Sequence, residues 1–267
     1  ASCGAYLTLR DRLRIYSEEN LGVSRPALEI SAAVAFSLML TISAATLQFS
    51  VYGRTSVFFI SASVTSGIAA FEISSFRLTK RTRNLLLGQI FALFLLLRLS
   101  LFQQFPSSML GVDPWYHLSF LLNVISAGRA PPGSRYSGFP AMHLTVISLS
   151  NAIELDPMTS FILTSTFFEL VGFLFTFILA EFVTNTRVAL LATLMLTVLQ
   201  TGVRYGWWIP PTSVGLSLMP VVVYVLLQRK PQYIARYKLV AILLLMSVVA
   251  AHTFSTFVLF VISALLY

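Results

Sequence analysis

The chain has 267 residues, of which 57% are hydrophobic and 10% are charged, and its formal net charge is +8. A soluble domain carries about 25% charged residues, so the composition excludes that class and predicts a membrane protein. In a soluble protein this basic balance would suggest nucleic-acid binding. Here the Lys and Arg residues cluster in short loops between apolar runs, which is typical of orientation in a membrane, so we expect no nucleic-acid partner. A single cysteine, Cys3, excludes an intrachain disulfide framework and a cysteine-based metal site.

The first 26 residues are predicted to form a cytoplasmic amphipathic segment. No apolar core follows their basic residues before Pro26, so the segment is not a signal peptide. Between Leu7 and Ile15, three leucines and one isoleucine lie among three arginines. This pattern favours a helix that lies on the membrane surface.

The remainder, residues 27–267, is predicted to be one transmembrane domain. Its apolar runs of about 20 residues are each long enough to cross a bilayer, so we predict an all-α polytopic membrane protein with about eight or nine transmembrane helices. The spans lie near 27–49, 55–76, 84–105, 158–182, 187–204, 208–227 and 238–252, with one more after residue 252. The apolar block 238–267 is too long for one crossing, which predicts a break at "AHTFST". The apolar ending "FVLFVISALLY" indicates a chain that continues beyond residue 267.

Two basic loops set the predicted orientation, because Lys and Arg collect on the cytoplasmic side. They contain Arg77, Lys80, Arg81 and Arg83, and Arg229, Lys230, Arg236 and Lys238. Residues 106–141 then form a large outer loop with interfacial helices. To keep both basic loops inside, we interpret the 14-residue segment 141–154 as interfacial or re-entrant. This choice places most polar residues of interest at the outer face: Asp113, His117, His143, Glu154, Asp156, Arg204, Trp207, Trp208 and His252.

The Asp113-Pro114 pair is a good helix start, with Asp113 as the N-cap and Pro114 at the first helical position. The helix would carry His117 on the same face, one turn further on. An acid and an imidazole at that spacing can share a metal ion, or can hold a proton acceptor and its partner in register. Asp113 as a simple helix cap is the alternative.

Several other polar residues are candidates for a functional role, and some of them have a structural alternative. In the loop "SAGRAPPGSRYSGFP", Arg129 and Arg135 suit phosphate or anionic lipid headgroups, and "FPAMH" places His143 at a helix start. Arg98 either extends its charged end to the membrane surface or grips a lipid phosphate. Arg204 is a second phosphate candidate, and His252 either bonds to a neighbouring helix or is reactive. Glu29, Glu72 and Glu181 lie near span ends where they could reach water, whereas Glu169 lies deeper.

The outer-loop motifs resemble those of a known enzyme class. Asp113 in "DPWYH", then "AGRAPP", Tyr136 and "FPAMH" are similar to the first outer loop of GT-C-fold membrane glycosyltransferases, especially archaeal ones. That class includes oligosaccharyltransferase catalytic subunits and protein O-mannosyltransferases. The resemblance covers residues 111–143, with weaker likeness at 204–215 and 252–256. Two predicted spans precede the loop here, whereas the class usually has one.

The resemblance implies a multi-pass cell-membrane enzyme that moves a sugar from a polyprenyl-phosphate donor to a lipid, glycan or protein acceptor. The active site would lie on the extracytoplasmic face. Asp113 would be the general base or would bind a metal, and His117 and His143 would orient the donor phosphate or the acceptor. The implied ligands of the lipid phosphate are Arg98, Arg129, Arg135, Arg204 and His252. A divalent metal, Mn²⁺ or Mg²⁺, held by Asp113 and His117 is left open.

Two other functions are compatible with the sequence. A transporter or lipid flippase would use Glu169 and the broken helix in 238–267 around a site at the membrane midplane. A non-catalytic membrane subunit would use the 111–143 loop as a docking surface for another protein.

Overall fold

A computed structural model of the chain describes residues 22–23, 25–49, 54–104, 112–134, 136–138, 140–199, 211–227 and 234–266. Within these residues the structure is helical, apart from one isolated backbone bridge between Val23 and Phe76. The helices are α1 (Pro26–Thr46), α2 (Ser56–Ser75), α3 (Lys80–Gln104), α4 (Val112–Ala127), α5 (Ala141–Ile153), α6 (Pro157–Val183), α7 (Thr186–Val198), α8 (Pro211–Leu227), α9 (Ile234–Ala251) and α10 (Thr253–Leu266). The predicted N-terminal amphipathic segment lies almost wholly outside the described residues.

Four of these helices are long and apolar enough to cross a membrane: α1, α2, α3 over Lys80–Ser100, and α6. Shorter apolar helices are α5, α7 and the part of α8 from Ser213 to Leu227. The prediction of a helical membrane protein is therefore confirmed.

The helices fall into two compact units. The first contains α1, α2, α3 and α7, and the second contains α4, α5, α6 as far as Leu179, α8, α9 and α10.

Polar contacts join the helices of the first unit. In the buried contact of α1 with α2, Ser43 Oγ donates to Ser61 Oγ over 2.6 Å. Arg187, in the first turn of α7, donates to the backbone oxygens of Ile73 and Phe76 at the end of α2. A guanidinium at a helix C-terminus satisfies carbonyl groups that have no partner inside the helix. Hydrogen bonds thus fix helix pairs that apolar side chains in lipid would hold only weakly.

In the second unit, small residues bring helices into close contact. A Cβ atom added to Gly172 of α6 would lie 2.9 Å from the backbone Cα of Ser217 in α8. Similarly, a Cβ atom on Gly215 of α8 would overlap the side chain of Ser255 in α10. Close approach at small residues is a usual way to pack helices in a membrane.

The structure confirms the break predicted at "AHTFST". Helix α9 ends at Ala251, His252 is not helical, and α10 begins at Thr253. The backbone N–H of His252 still donates to the Val248 oxygen at 3.0 Å, so the interruption is short.

Gly172→Ala should lower the thermal stability of the purified protein, because the new methyl group meets backbone rather than a movable side chain. Overpacking of this kind costs about 1–3 kcal/mol. Gly67→Ala is the matched control, since nothing lies within 4 Å of its added Cβ and alanine is the better helix former. A Gly172→Ala protein that melts at or above the temperature of Gly67→Ala would contradict this packing.

Candidate active site

Helices α4 and α5 and the described residues between them form the α4–α5 hairpin. Helix α4 begins at Val112, so Asp113 and Pro114 are its second and third residues, and the predicted N-cap position of Asp113 is two residues too late. The side chain of Asp113 lies outside the described residues. With 16 and 13 residues, α4 and α5 are about 24 and 20 Å long, shorter than the roughly 30 Å hydrocarbon core.

His117 of α4 and His143 of α5 form the histidine pair at the centre of this hairpin. The Nδ1 atom of His117 lies 3.1 Å from Nε2 of His143, which is hydrogen-bonding distance. The two side chains are 1% and 0% exposed. Because a hydrogen bond between two ring nitrogens needs one donor and one acceptor, at least the accepting ring must be neutral.

Aromatic side chains enclose the histidine pair. The ring of Tyr136 lies 4.5 Å from that of His117, and the ring of Phe120 lies 4.6 Å from that of His143. Phe161 of α6 stacks at 6.3 Å from His117. Since Tyr136 belongs to the connecting loop, its contact with His117 holds the loop against α4.

This apolar enclosure makes both histidines weak bases. Burial lowers the pKa of His143 to about 3, with a further contribution from the charge of His117. Burial also lowers the pKa of His117 to about 4, helped by the charge of His252. The histidine pair is therefore neutral near pH 7, and His252 lies close enough to influence it electrostatically. Nδ1 of His143 is buried without a hydrogen-bond partner among the described residues.

The phosphate-binding candidates do not all fall near Asp113. Arg129 is exposed and follows α4, so it lies at the opposite end of that helix, about 24 Å from Asp113. His252 is half-buried at the junction of α9 and α10. Arg135, Arg204, Trp207 and Trp208 lie outside the described residues.

Asp156 shows what an Asp-Pro pair does when it only caps a helix. It precedes Pro157, the first residue of α6, and its Oδ1 accepts a 2.9 Å hydrogen bond from the backbone N–H of Thr159. Hydrogen bonding with the Thr159 side chain, and next with its backbone N–H, lowers the pKa of the exposed Asp156 carboxyl. Glu154 is also exposed and ends α5 with a left-handed backbone, φ 54°.

In the first unit, Arg98 of α3 is 4% exposed. The prediction that it extends its charged end to the membrane surface is therefore wrong. Its guanidinium lies 5.1 Å from the centre of the Phe94 ring.

Arg54, which precedes α2, donates from Nη2 to the Leu97 oxygen at 3.1 Å and to Ser100 Oγ at 2.6 Å. Burial, and secondarily the charge of Arg98, lowers the pKa of Arg54 to about 10, so Arg54 remains charged near pH 7.

The acids in the apolar runs differ in their surroundings. Glu72 is 2% exposed and lies in the wall of a cavity at the end of α2. Glu181 forms an ion pair with Arg83 at 3.3 Å and accepts a hydrogen bond from Thr186. Glu169, on which a transport function would depend, is half-buried in α6.

A metal ion has little support from the described side chains. They contain no group of three or more His, Cys, Asp or Glu residues arranged to hold one. Nδ1 of His117 is already occupied by His143, so His117 could offer only its other nitrogen. We therefore derive no chemistry through a metal.

Sequence reasoning missed two contributors. Tyr136 entered only as part of a motif, and nothing in the sequence indicated its contact with His117. Arg54 was not singled out, although an arginine just before an apolar run is a usable signal.

Comparisons with protein-family models, curated proteins and solved structures found no match for this chain.

Stability should fall as the pH is lowered from about 6.5 towards 4. In that interval the unfolded histidines, with a pKa of 6.5, bind protons that the folded histidine pair does not take up. The loss amounts to at most about 1.4 kcal/mol per pH unit for each histidine. Thermal unfolding of the purified protein across this range measures it.

The double variant His117→Gln/His143→Gln is the control, because glutamine does not titrate. It should show a shallower fall in melting temperature over the same interval. An equal fall in both proteins would contradict a neutral histidine pair.

Proposed function

We propose that this protein is a membrane glycosyltransferase that moves a sugar from a polyprenyl-phosphate carrier to an acceptor at the outer membrane face. It would cross the membrane about eight or nine times, with residues 106–141 as the outer loop. The observation that best supports this is the contact of Tyr136 with His117, which holds the connecting loop against the helix that carries Asp113. Asp113 lies one turn before His117 in the same helix.

The chemistry requires a proton acceptor beside the sugar. As the acceptor oxygen attacks C1 of the sugar, its proton passes to the Asp113 carboxylate, which acts as the general base. The bond between C1 and the phosphate oxygen breaks, and the polyprenyl phosphate leaves with the negative charge. A carboxylate on a helix of fixed position supplies the orientation that this step needs.

The leaving phosphate needs a cation, because charge builds on its oxygen in the transition state. Arg129 is too far along α4 to reach a phosphate beside Asp113. Arg135 precedes Tyr136, the residue that contacts His117, and is the candidate that we favour for this role. A guanidinium binds phosphate through two parallel hydrogen bonds, which also orients it.

Within this proposal the histidines are positioning residues. A general base works best with a pKa near the working pH, whereas the pKa values of His117 and His143 lie near 4 and 3. A neutral, buried pair can still set the spacing of α4 and α5. It would thereby hold the loop in the geometry that the donor requires.

The aromatic residues next to Asp113 have a place in the same proposal. Trp115 and Tyr116 are 45% and 50% exposed, and both follow Asp113 within the first two turns of α4. Amphipathic rings of this kind settle at the level of the lipid headgroups. They would keep Asp113 at the depth where a carrier lipid presents its sugar.

Asp113→Asn should abolish sugar transfer, because asparagine cannot accept the proton. We expect turnover of a polyprenyl-phosphate sugar by the reconstituted protein to fall about a hundredfold or more. The measurement is loss of the lipid-linked sugar over time, together with the melting temperature of each variant.

Asp156→Asn is the matched control, since it alters the other Asp-Pro pair. Asparagine caps helices as well as aspartate does, so this variant should keep its turnover and its stability. Equal turnover in wild type and Asp113→Asn would remove Asp113 from the mechanism. A wild-type protein that turns over no donor would argue against the glycosyltransferase itself.

A further inference from the structure

The first unit contains a polar cavity of about 300 Å³, at the end where the basic residues of the α2–α3 connection cluster. Its walls come from the first turns of α1, the end of α2, the connection and the first turns of α3. The volume is at the lower end of the range of small-molecule sites. It takes no part in the function proposed above.

Charges of both signs line this polar cavity. Glu29 of α1 and Glu72 of α2 supply carboxyl groups, and Arg77 and Arg81 supply guanidinium groups. Within the described part of the chain, neither acid forms an ion pair with either arginine. Acids and bases that share a cavity without pairing are suited to a ligand that carries both charges.

Glu72 is the residue that points most directly to a ligand. Its side chain is 2% exposed and hydrogen bonds with Gln89, yet its Oε2 atom has no hydrogen-bond partner among the described residues. A carboxyl oxygen in the wall of a cavity needs a hydrogen-bond donor there, because leaving it unpaired is costly. An ammonium group in the cavity would satisfy it.

An exposed face of α1, here called the apolar face, adjoins the polar cavity. Its residues are Ile30, Ala33, Val34, Ser37, Leu38 and Thr41, of which Ile30 and Ala33 also line the polar cavity. Ile30, Val34 and Leu38 are 65%, 61% and 54% exposed, so this face is open to a hydrocarbon chain.

We infer that the polar cavity and the apolar face of α1 together bind one aminophospholipid, a lipid whose headgroup carries a primary ammonium and a phosphate. The ammonium donates to Glu72 Oε2, and Glu29 adds a second negative charge nearby. Arg77 and Arg81 donate to the phosphate oxygens, where charge-assisted bonds are strongest. One hydrocarbon chain lies along the apolar face. Contact with this face is what selects a lipid over a soluble headgroup.

The test measures binding of defined lipids to the full-length protein in detergent, by native mass spectrometry. The probes are phosphatidylethanolamine, phosphatidylcholine, whose trimethylated nitrogen has no N–H to donate, and phosphatidylglycerol, which has no ammonium. Soluble phosphoethanolamine is added as a competitor. Phosphatidylethanolamine should bind at least about tenfold more tightly than the other two lipids, which is about 1.4 kcal/mol. Phosphoethanolamine should compete poorly.

Glu72→Gln should remove most of the preference for phosphatidylethanolamine, because the neutral amide lacks the negative charge that attracts the ammonium group. Arg81→Gln, at an exposed position that the fold does not depend on, should weaken phosphatidylethanolamine and phosphatidylglycerol alike. Glu154→Gln, an exposed acid of the second unit, is the control and should bind as wild type does.

Three results would overturn the inference. The first is equal binding of the three lipids. The second is an unchanged lipid preference in Glu72→Gln together with unchanged lipid binding in Arg81→Gln. The third is full competition by phosphoethanolamine, which would mean that the apolar face does not contribute to binding. None of these readouts involves sugar transfer. Loss of the lipid site and failure of the proposed enzyme activity are therefore distinguishable.

Discussion

The contact between Nδ1 of His117 and Nε2 of His143 is the interaction on which the α4–α5 hairpin depends. It joins two short helices at a point where Tyr136, Phe120 and Phe161 exclude water. In such surroundings a charged imidazole is costly, and a neutral one can keep a single hydrogen bond at small cost. The same enclosure that makes the contact strong makes both rings poor bases. In the enzyme that we propose, the proton acceptor would therefore be another residue, and Asp113 lies one turn before His117 in the same helix.

A related constraint governs the first unit, where charged side chains lie inside the protein. Arg54 donates to Leu97 and Ser100, and Arg187 donates to the end of α2. Each guanidinium thereby replaces hydrogen bonds to water with hydrogen bonds to backbone or hydroxyl oxygens, as buried donors generally must. One oxygen of Glu72 has no hydrogen-bond partner among the described residues, and it lies beside a cavity whose wall includes Arg77 and Arg81. Buried polar groups in a membrane protein usually serve function, which is why we assign a ligand to that cavity.

The sequence predicted features that depend on local composition. Apolar length identified helices α1, α2, α3 and α6, and the polar "AHTFST" stretch identified the break at His252, because hydropathy and helix breakers act within a few residues. Contacts between distant parts of the chain were not predictable in this way. The burial of Arg98 and Glu72 depends on which neighbouring helices cover them. The Tyr136 contact depends on the path of a loop rich in Pro and Gly, whose turns set no side-chain partner by themselves.

The central claim is that Asp113, supported by a neutral histidine pair, carries sugar transfer, and the pH dependence of transfer by the reconstituted wild-type protein tests it most directly. The account predicts measurable turnover whose kcat/KM shows no ionisation near the ordinary histidine pKa, between about pH 5.5 and 7.5. An inflection near pH 6.5 that disappears in His117→Gln would show a histidine acting as the base. That result, or an absence of transfer at every pH, would contradict the account.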